Sequence, residues 1–170
     1  MGRDFCNEKD PTNKRILNFI KKHLTEAQEI ANGLGVSAEW ILGLSGTESS
    51  YGTSKFAREA NNYFGIHPNA PGSIGNYPSG KKAKVSKFTS FKSSAKSFVT
   101  LFGNLVRNTK TEKDFVNALV PKFNPAVSPD GNPNFKQDTL DGITAISRRM
   151  SCDIADKPAH KSYIPHICTR

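Results

Sequence analysis

The chain has 170 residues, of which 36% are hydrophobic, and its formal net charge is +9 at pH 7. This size fits a single domain over residues 1–170 with a modest core. No stretch approaches the run of about 20 apolar residues that a membrane-spanning helix needs. The start, MGRDFCNEKD, lacks the apolar segment of a secretory signal. We therefore expect no membrane span, and an export route without a signal peptide if the protein works outside the cytoplasm.

The first third of the chain predicts three helices. Asp10 and Pro11 form a typical helix start, and a capping-box pattern predicts that a second helix begins at Thr25. The glycines at positions 33 and 35 supply a stop before a third helix, which is expected from about residue 38 to residue 47. Apolar residues of the first helix recur at helical spacing: Ile16, Leu17, Ile20 and Leu24.

The composition changes in the middle of the chain. Pro, Gly, Ser and Lys dominate from Pro68 to Lys84, and three apolar residues then alternate with polar ones: Val85, Phe88 and Phe91. This pattern predicts an irregular lobe at about residues 66–92 with a short strand or hairpin. Helical spacing returns in three further segments, at about residues 94–107, 111–120 and 134–150. The predicted fold class is mainly α (α+β), a helical body with a small irregular β/loop lobe and a C-terminal tail at about 152–170.

Positive charge is concentrated in one part of the chain. From Ala60 through Thr111 there is no Asp or Glu, whereas eight Lys and Arg residues fall there. Such a stretch produces a positive field that suits an anionic polymer, namely nucleic acid, an acidic cell wall or anionic lipid. The alternative interpretation is a solvated basic surface that serves only solubility. Charge alone does not choose between these partners.

Three cysteines lie near the chain ends, at positions 6, 152 and 168, and their spacing does not match a zinc site. We expect neither a metal site nor a cofactor. In an oxidising compartment Cys152 and Cys168 are the favoured pair, because they bracket a Pro- and Lys-rich step with little apolar content. Pairing that involves Cys6, or three free thiols in a reducing compartment, are the alternatives.

Glu48 is the candidate catalytic residue. A carboxylate at the C-terminal end of a helix faces the negative end of the helix dipole, so this position is mildly unfavourable. Trp40 and Leu44 precede it by eight and four positions and share its face of the helix, which should pack inward. Burial against that face would raise the pKa of the carboxyl and keep it protonated near neutral pH, as a general acid requires.

The segment from Glu48 to Ile66, ESSYGTSKFAREANNYFGI, resembles the signature of the peptidoglycan glucosaminidases of glycoside hydrolase family 73, in the lysozyme-like superfamily. A less close resemblance continues at residues 87–91 and at the NPNF sequence of residues 132–135. It implies a lysozyme-like fold and makes Glu48 the catalytic acid. It also implies substrate-facing or cleft-supporting roles for Asn62, Tyr63 and Phe64. Tyr51 is interpreted as a sugar platform or a packing residue.

Two departures from the family pattern leave the partner of Glu48 unassigned. The family often carries a second acid in the inserted lobe, where this chain has none, and a family tyrosine aligns roughly with Pro129, beside Asp130. A covalent carboxylate intermediate is therefore hard to support. Three routes remain: attack by the 2-acetamido group of the substrate, attack by a positioned water, or intramolecular attack that gives an anhydro product. The hydroxyls that would position the water are those of Thr89, Ser90 and Tyr77.

The sequence thus predicts a hydrolase that cleaves a β-1,4 linkage between N-acetylglucosamine and N-acetylmuramic acid in peptidoglycan. The alternatives are a lytic transglycosylase, a non-catalytic glycan-binding module and a basic nucleic-acid-binding module. The last has neither a recognisable motif nor a series of stacking aromatics, so we expect no nucleic-acid partner. The predicted catalytic residue is Glu48, and the predicted substrate-binding residues are Tyr51, Asn62, Tyr63, Phe64 and Tyr77.

The expected site of action is the cell wall or periplasm of a target cell. Without a signal peptide, such an enzyme reaches the wall through a holin-type lesion, as phage lysins do, or through an injection machine such as the type VI secretion system. We favour an injected antibacterial toxin. Its expected partners are peptidoglycan and a cognate immunity protein in the producing cell, and it is expected to be a monomer.

Overall fold

A computed structural model describes residues 4–78, 84–123 and 132–152. This part of the chain is mostly helical and contains one small two-stranded sheet, so the predicted mainly α fold class is confirmed. The helices are α1 Pro11–Leu34, α2 Ala38–Glu48, α3 Lys55–Ala60, α4 Phe91–Val106, α5 Glu112–Phe123 and α6 Phe135–Met150. The strands are β1 Gly75–Pro78 and β2 Lys84–Lys87. None of the described helices is long and apolar enough to cross a membrane.

Helix α1 is one continuous helix of 24 residues where the sequence predicted two. The side chain of Asp10 caps its start, and Gly35 closes it in the left-handed conformation, with a φ of 67°. The predicted helix start at Thr25 is wrong, because the apolar spacing passes through that position in phase and a break would divide one core-facing stripe. The buried residues of that stripe include Ile16, Ile20, Ala27, Ile30 and Leu34.

Helix α2 lies at the centre of the fold, and its residues 41–46 are all buried. Gly43 allows the close approach of α6, since a Cβ at Gly43 would lie 2.5 Å from the Ile143 side chain. The helix ends in a Schellman-type turn, in which the N–H of Tyr51 donates to the carbonyl oxygen of Gly46 at 2.6 Å. Ser50 occupies the left-handed position of this turn, with a φ of 50°, where glycine is usual. The chain therefore turns sharply just after Glu48.

The predicted hairpin in the lobe is confirmed as the antiparallel pair β1–β2. The N–H of Ser86 donates to the carbonyl oxygen of Ile66 at 3.1 Å, and the N–H of Phe88 donates to that of Ala60 at 2.8 Å. These bonds fix the hairpin to the segment that follows α3. Phe88 and Phe91, which the sequence grouped with the strand, are instead buried core residues, and Phe91 is the first residue of α4.

The later helices match the prediction with shifted ends. Helix α4 begins three residues earlier than predicted, because Ser90 and Ser93 cap its start reciprocally. Helix α5 has the predicted cap, in which the N–H of Asp114 donates to the hydroxyl of Thr111 at 3.1 Å, but it continues past Pro121. Four phenylalanines of the core are completely buried, and each contributes about 1.5–3 kcal/mol by burial. They are Phe64, Phe88, Phe98 and Phe115.

A disulfide joins Cys6 to Cys152, with Cα atoms 5.5 Å apart. The favoured pairing of Cys152 with Cys168 is therefore wrong, and the alternative that involves Cys6 is correct. The cause is that the end of α6 packs beside the N-terminal segment. The Arg149 guanidinium donates to Asn13 Oδ1 at 2.6 Å, and Asn13 Nδ2 donates to the backbone of that segment at 3.0 Å. Cys168 and the rest of the predicted tail beyond Cys152 lie outside the described residues.

We expect reduction of the Cys6–Cys152 disulfide to lower the free energy of unfolding by about 2 to 5 kcal/mol, because the bond closes a very long loop in the unfolded chain. The melting temperature should fall by roughly 5 to 15 °C. Circular dichroism melts with and without reductant measure this change. Cys152→Ala should match the reduced wild type, whereas Cys168→Ala should melt like the oxidised wild type. A peptide map that links Cys152 to Cys168 would contradict the pairing.

Candidate active site

The carboxyl of Glu48, the last residue of α2, lies over the turn formed by Tyr63, Phe64 and Gly65. A Cβ at Gly65 would come within 2.9 Å of Glu48 Oε2, so the absence of a side chain there makes room for the carboxyl. Burial, and after it the negative charge of Asp138, raise the pKa of Glu48 to about 7. Leu44, one turn earlier on the same face, is fully buried, as the sequence predicted.

Asp138 belongs to the first turn of α6, which packs closely against α2. The Thr47 hydroxyl donates to the backbone carbonyl of Asp138 at 3.4 Å, and Asn132 Nδ2 donates to the Asp138 carboxylate at 2.8 Å. This second carboxylate was not predicted from the sequence, because the family pattern places a second acid in the lobe. Thr47 and Asp138 are 91 positions apart, so no local pattern connects them.

Asn62 and Phe64, two of the predicted substrate-binding residues, are 1% and 0% exposed. The Asn62 side chain donates to the carbonyl oxygens of Ile66 and Ser86 at 2.8 and 2.9 Å and accepts from the Ile66 N–H at 2.9 Å. The Phe64 ring stacks on that of Phe98, with centroids 5.0 Å apart. Of the two predicted roles, substrate-facing or cleft-supporting, these positions fit support of the turn beneath Glu48.

Tyr51 and Tyr63 come together on the α1 side of the molecule, where both line a cavity of about 400 Å³. Tyr63 is 4% exposed and packs edge-on against His23, with ring centroids 4.9 Å apart. Tyr51 is partly buried, and the Arg15 guanidinium lies 5.9 Å from its ring centroid. Of the pair, Tyr51 therefore offers more accessible surface, and a contact with sugar remains a prediction for both residues.

The neutral hydroxyls that were predicted to position water are engaged locally. The Tyr77 hydroxyl donates to the carboxylate of Glu59 and so attaches β1 to α3. The Thr89 hydroxyl lies 3.0 Å from that of Ser93, and the Ser90 hydroxyl accepts from the Ser93 N–H at 3.1 Å. These contacts give each of the three side chains a structural role.

Two cavities are lined by residues that lie next to Glu48, in the chain or across from its carboxyl. One, of about 260 Å³, includes Gly65 and runs along residues 65–71 to apolar side chains of α4 and α5. The other, of about 650 Å³, includes Thr47 and Asp138 and extends between α1 and α6. In the part of the chain that the structure describes, His, Cys, Asp and Glu form no group of three or more that could hold a metal ion.

Comparisons with solved structures reveal relatives over most of the chain. A chain in a type VI secretion system effector-immunity complex from Pseudomonas protegens is 39% identical, with a TM-score of 0.75, over 87% of this chain and 99% of the other. A peptidoglycan hydrolase from Sphingomonas sp. A1 is 18% identical, with a TM-score of 0.64, over 87% of this chain and 99% of its own. The glycoside hydrolase domain of Salmonella typhimurium FlgJ is 23% identical, with a TM-score of 0.59, over 79% of this chain and 91% of its own.

A comparison with curated proteins gives no match. The model of the Glucosaminidase family, described as mannosyl-glycoprotein endo-beta-N-acetylglucosaminidase, matches residues 24–150. That range contains Glu48, the turn beneath it and Asp138. The predicted family resemblance and the lysozyme-like fold are confirmed, and the chain belongs to the Glucosaminidase family.

Proposed function

We propose that the protein is a glycoside hydrolase that cleaves a β-1,4 linkage of peptidoglycan glycan strands, with Glu48 as its general acid. The observation that carries this proposal is the Glu48 carboxyl, which lies over the Gly65 turn with a pKa raised to about 7. The Glucosaminidase family match and the fold shared with peptidoglycan hydrolases support the substrate class.

The chemistry follows from the protonation state of this carboxyl. Glu48 donates its proton to the glycosidic oxygen as the bond from the anomeric carbon to that oxygen breaks. A pKa near the working pH is suited to this step, because the group is substantially protonated in the free enzyme and still acidic enough to transfer the proton. Water or an internal nucleophile then attacks the anomeric carbon, and Glu48 regains a proton from solvent.

The charge of the protein supports an anionic polymer as substrate. Peptidoglycan carries carboxylates on its peptides, and the net charge of +9 would raise the encounter rate with such a polymer. Of the lysines in the acid-free stretch, Lys81 and Lys82 lie outside the described residues. Lys84 and Lys87 lie on β2, and Lys84 is exposed. The hairpin therefore presents positive charge at the surface of the lobe.

The similarity to a chain of an effector-immunity complex supports a role as an antibacterial toxin. We propose delivery into the periplasm or cell wall of a target bacterium, and an immunity protein that protects the producer. The Cys6–Cys152 disulfide fits this destination, because disulfides persist in oxidising compartments such as the periplasm. We also expect the protein to act as a monomer.

Mass spectrometry of the soluble products released from purified sacculi tests the proposal. Products with reducing-end N-acetylglucosamine identify a glucosaminidase, and products with reducing-end N-acetylmuramic acid identify a muramidase. Products with anhydromuramic ends would show that the protein is a lytic transglycosylase and not a hydrolase. If wild-type protein releases no product, the enzymatic proposal is wrong.

Replacement of Glu48 by Gln should lower the rate of product release by at least about 100-fold, since Gln keeps the size of the side chain but cannot donate the proton. The fold should be retained, and a circular dichroism spectrum like that of the wild type provides the control. Turbidity loss of a sacculus suspension measures the rate. Lysis by Glu48→Gln at close to the wild-type rate would refute the role of Glu48.

The raised pKa of Glu48 also predicts how stability depends on pH. The folded-state pKa of about 7 exceeds the ordinary value of 4.5. The stability contributed by the protonated carboxyl is therefore fully present below about pH 4.5 and is lost as the pH rises through about 7. Glu48→Gln cannot ionise, so it should exceed the wild type in unfolding free energy at pH 8 by roughly 1 to 3 kcal/mol more than at pH 4.5. Urea denaturation at both pH values measures this difference, and a difference that does not change with pH would contradict the raised pKa.

Gly65→Ala should lower the rate of hydrolysis by about 10- to 100-fold, because the new Cβ displaces the Glu48 carboxyl. Gly72→Ala is the matched control: Gly72 has a φ of 73°, close to the 61° of Gly65, but a Cβ added there would meet no atom within 4 Å. Both variants should lose about 1 to 2 kcal/mol of stability from the left-handed backbone. Equal rates in the two variants would show that contact with Glu48 does not matter.

A further inference from the structure

The cavity of about 400 Å³ on the α1 side of the molecule, which we call the α1 cavity, has no part in the proposed acid step. Glu48 is not among the residues that line it, and its wall on α1 extends from Pro11 to His23. The Glucosaminidase family model begins at residue 24, so membership of the family does not account for this wall. The volume lies within the range of about 300 to 1,000 Å³ that is typical of small-molecule sites.

Buried aromatic rings line the α1 cavity. Phe19 and Tyr63 are 3% and 4% exposed, and the centroid of the Phe19 ring lies 5.0 Å from that of His23 and 5.9 Å from that of Tyr51. The His23 ring also stacks on the core residue Phe91, with centroids 4.3 Å apart. These contacts hold the rings in place, so the cavity offers a fixed and weakly polar surface to a ligand.

His23 adds a polar group whose hydrogen bonding the protein does not complete. The side chain lines the α1 cavity and is 4% exposed, and its Nδ1 is buried without a hydrogen-bond partner among the described residues. A carboxylate oxygen of Glu26 lies 3.7 Å from Nδ1, which is too far for a hydrogen bond. Burial, and after it the charge of Lys22, lower the pKa of His23 to about 4, so the ring is neutral at pH 7. A buried polar atom without a partner is rare where a side chain only fills space.

Three exposed cations of α1 also line the α1 cavity, namely Lys14, Arg15 and Lys22. They share one face of the helix, because Lys22 lies about two turns after the other two. None of the described residues that line the cavity is an acid. Within residues 4–78, 84–123 and 132–152, none of the three cations forms an ion pair. The cavity therefore combines an aromatic surface with positive charges that lack a carboxylate partner, which is complementary to an anionic ligand.

We propose that the α1 cavity is a second, non-catalytic binding site for peptidoglycan that takes a peptide-bearing muramic acid unit. The sugar lies against the aromatic surface, and the carboxylates of its peptide lie at Lys14, Arg15 and Lys22. This inference rests on the proposed function, because it names the part of that substrate which the cavity recognises. An uncharged glycan offers the sugar without the carboxylates, so it leaves the three cations unused. A strand bound here stays attached to the enzyme between cleavages.

Isothermal titration calorimetry on the full chain with Glu48→Gln, which prevents turnover, measures the binding. One probe is a soluble disaccharide tetrapeptide from peptidoglycan, and the other is N-acetylchitotetraose, a β-1,4 glycan without carboxylates. Addition of Lys14→Gln and Lys22→Gln should raise the Kd of the disaccharide tetrapeptide by about 3- to 20-fold, because each exposed charge pair contributes modestly. The Kd of N-acetylchitotetraose should change by less than about twofold, since it carries no charge.

Two sets of variants separate this site from a general effect of charge. Lys96→Gln with Lys113→Gln removes the same charge from exposed positions that do not line the cavity, and it should leave both Kd values unchanged. Asn18 is exposed, lines the cavity and lies one turn from Lys14 and one turn from Lys22. Asn18→Glu should therefore weaken binding of the disaccharide tetrapeptide, and Asn18→Lys should strengthen it. Equal effects of the two substitutions would contradict recognition of a carboxylate.

NMR titration with the same two probes locates the site. The disaccharide tetrapeptide should shift the ring signals of His23 and the amide signal of Thr53, which also lines the cavity. The inference is overturned if these signals do not move at saturation, or if N-acetylchitotetraose moves them equally. If the wild type releases no glycan products but the disaccharide tetrapeptide shifts His23, the proposed function is wrong and the binding site stands. If the wild type hydrolyses sacculi but Lys14→Gln with Lys22→Gln binds like the Lys96 and Lys113 control, the site is wrong and the proposed function stands.

Discussion

The close contact between α2 and α6 is the constraint on which the rest of the structure depends. A helix buried as completely as α2 leaves little space for the side chains of its neighbours, and Gly43 and Gly142 let the two backbones meet. The contact fixes the direction in which α2 ends and the position of the first turn of α6. The Glu48 carboxyl therefore lies at a defined place over Gly65, where burial and the charge of Asp138 raise its pKa.

The position of Glu48 at the end of α2 lowers the stability of the fold locally. Ionisation of Glu48 in a largely apolar environment beside a like charge is unfavourable, and left-handed backbone at Ser50 and Tyr51 adds strain at the end of the same helix. Both features lie in the segment that positions the acid. The phenylalanine core and the Cys6–Cys152 bond act elsewhere in the fold and offset this local cost. The local cost around Glu48 and the contacts that offset it thus lie in different parts of the chain.

Local sequence patterns predicted secondary-structure elements and the candidate acid Glu48, but they could not predict long-range contacts. Periodicity and caps predicted α2, α5 and α6, and the position of Glu48 at the negative end of a helix dipole marked it as unusual, because these signals act within a few residues. The false helix start at Thr25 arose because a capping pattern also occurs inside helices, where an unbroken apolar stripe outweighs it. Asp138 escaped prediction, and Cys6 was only an alternative partner of Cys152, because each depends on which distant segments pack together. Asn62 was identified by the family signature, but the fold was needed to show that its side chain makes buried hydrogen bonds.

The disulfide has a further consequence for resistance to proteolysis. Cys6 and Cys152 lie 146 positions apart, so the bond converts nearly all of the described chain into a covalent ring that contains Glu48, the hairpin and Asp138. A protease that cuts one peptide bond inside this ring opens it without separating the pieces. The two parts stay attached and keep the packed helices at high effective concentration. A single nick therefore need not inactivate the molecule, and only a second cut within the ring or loss of the disulfide releases a fragment.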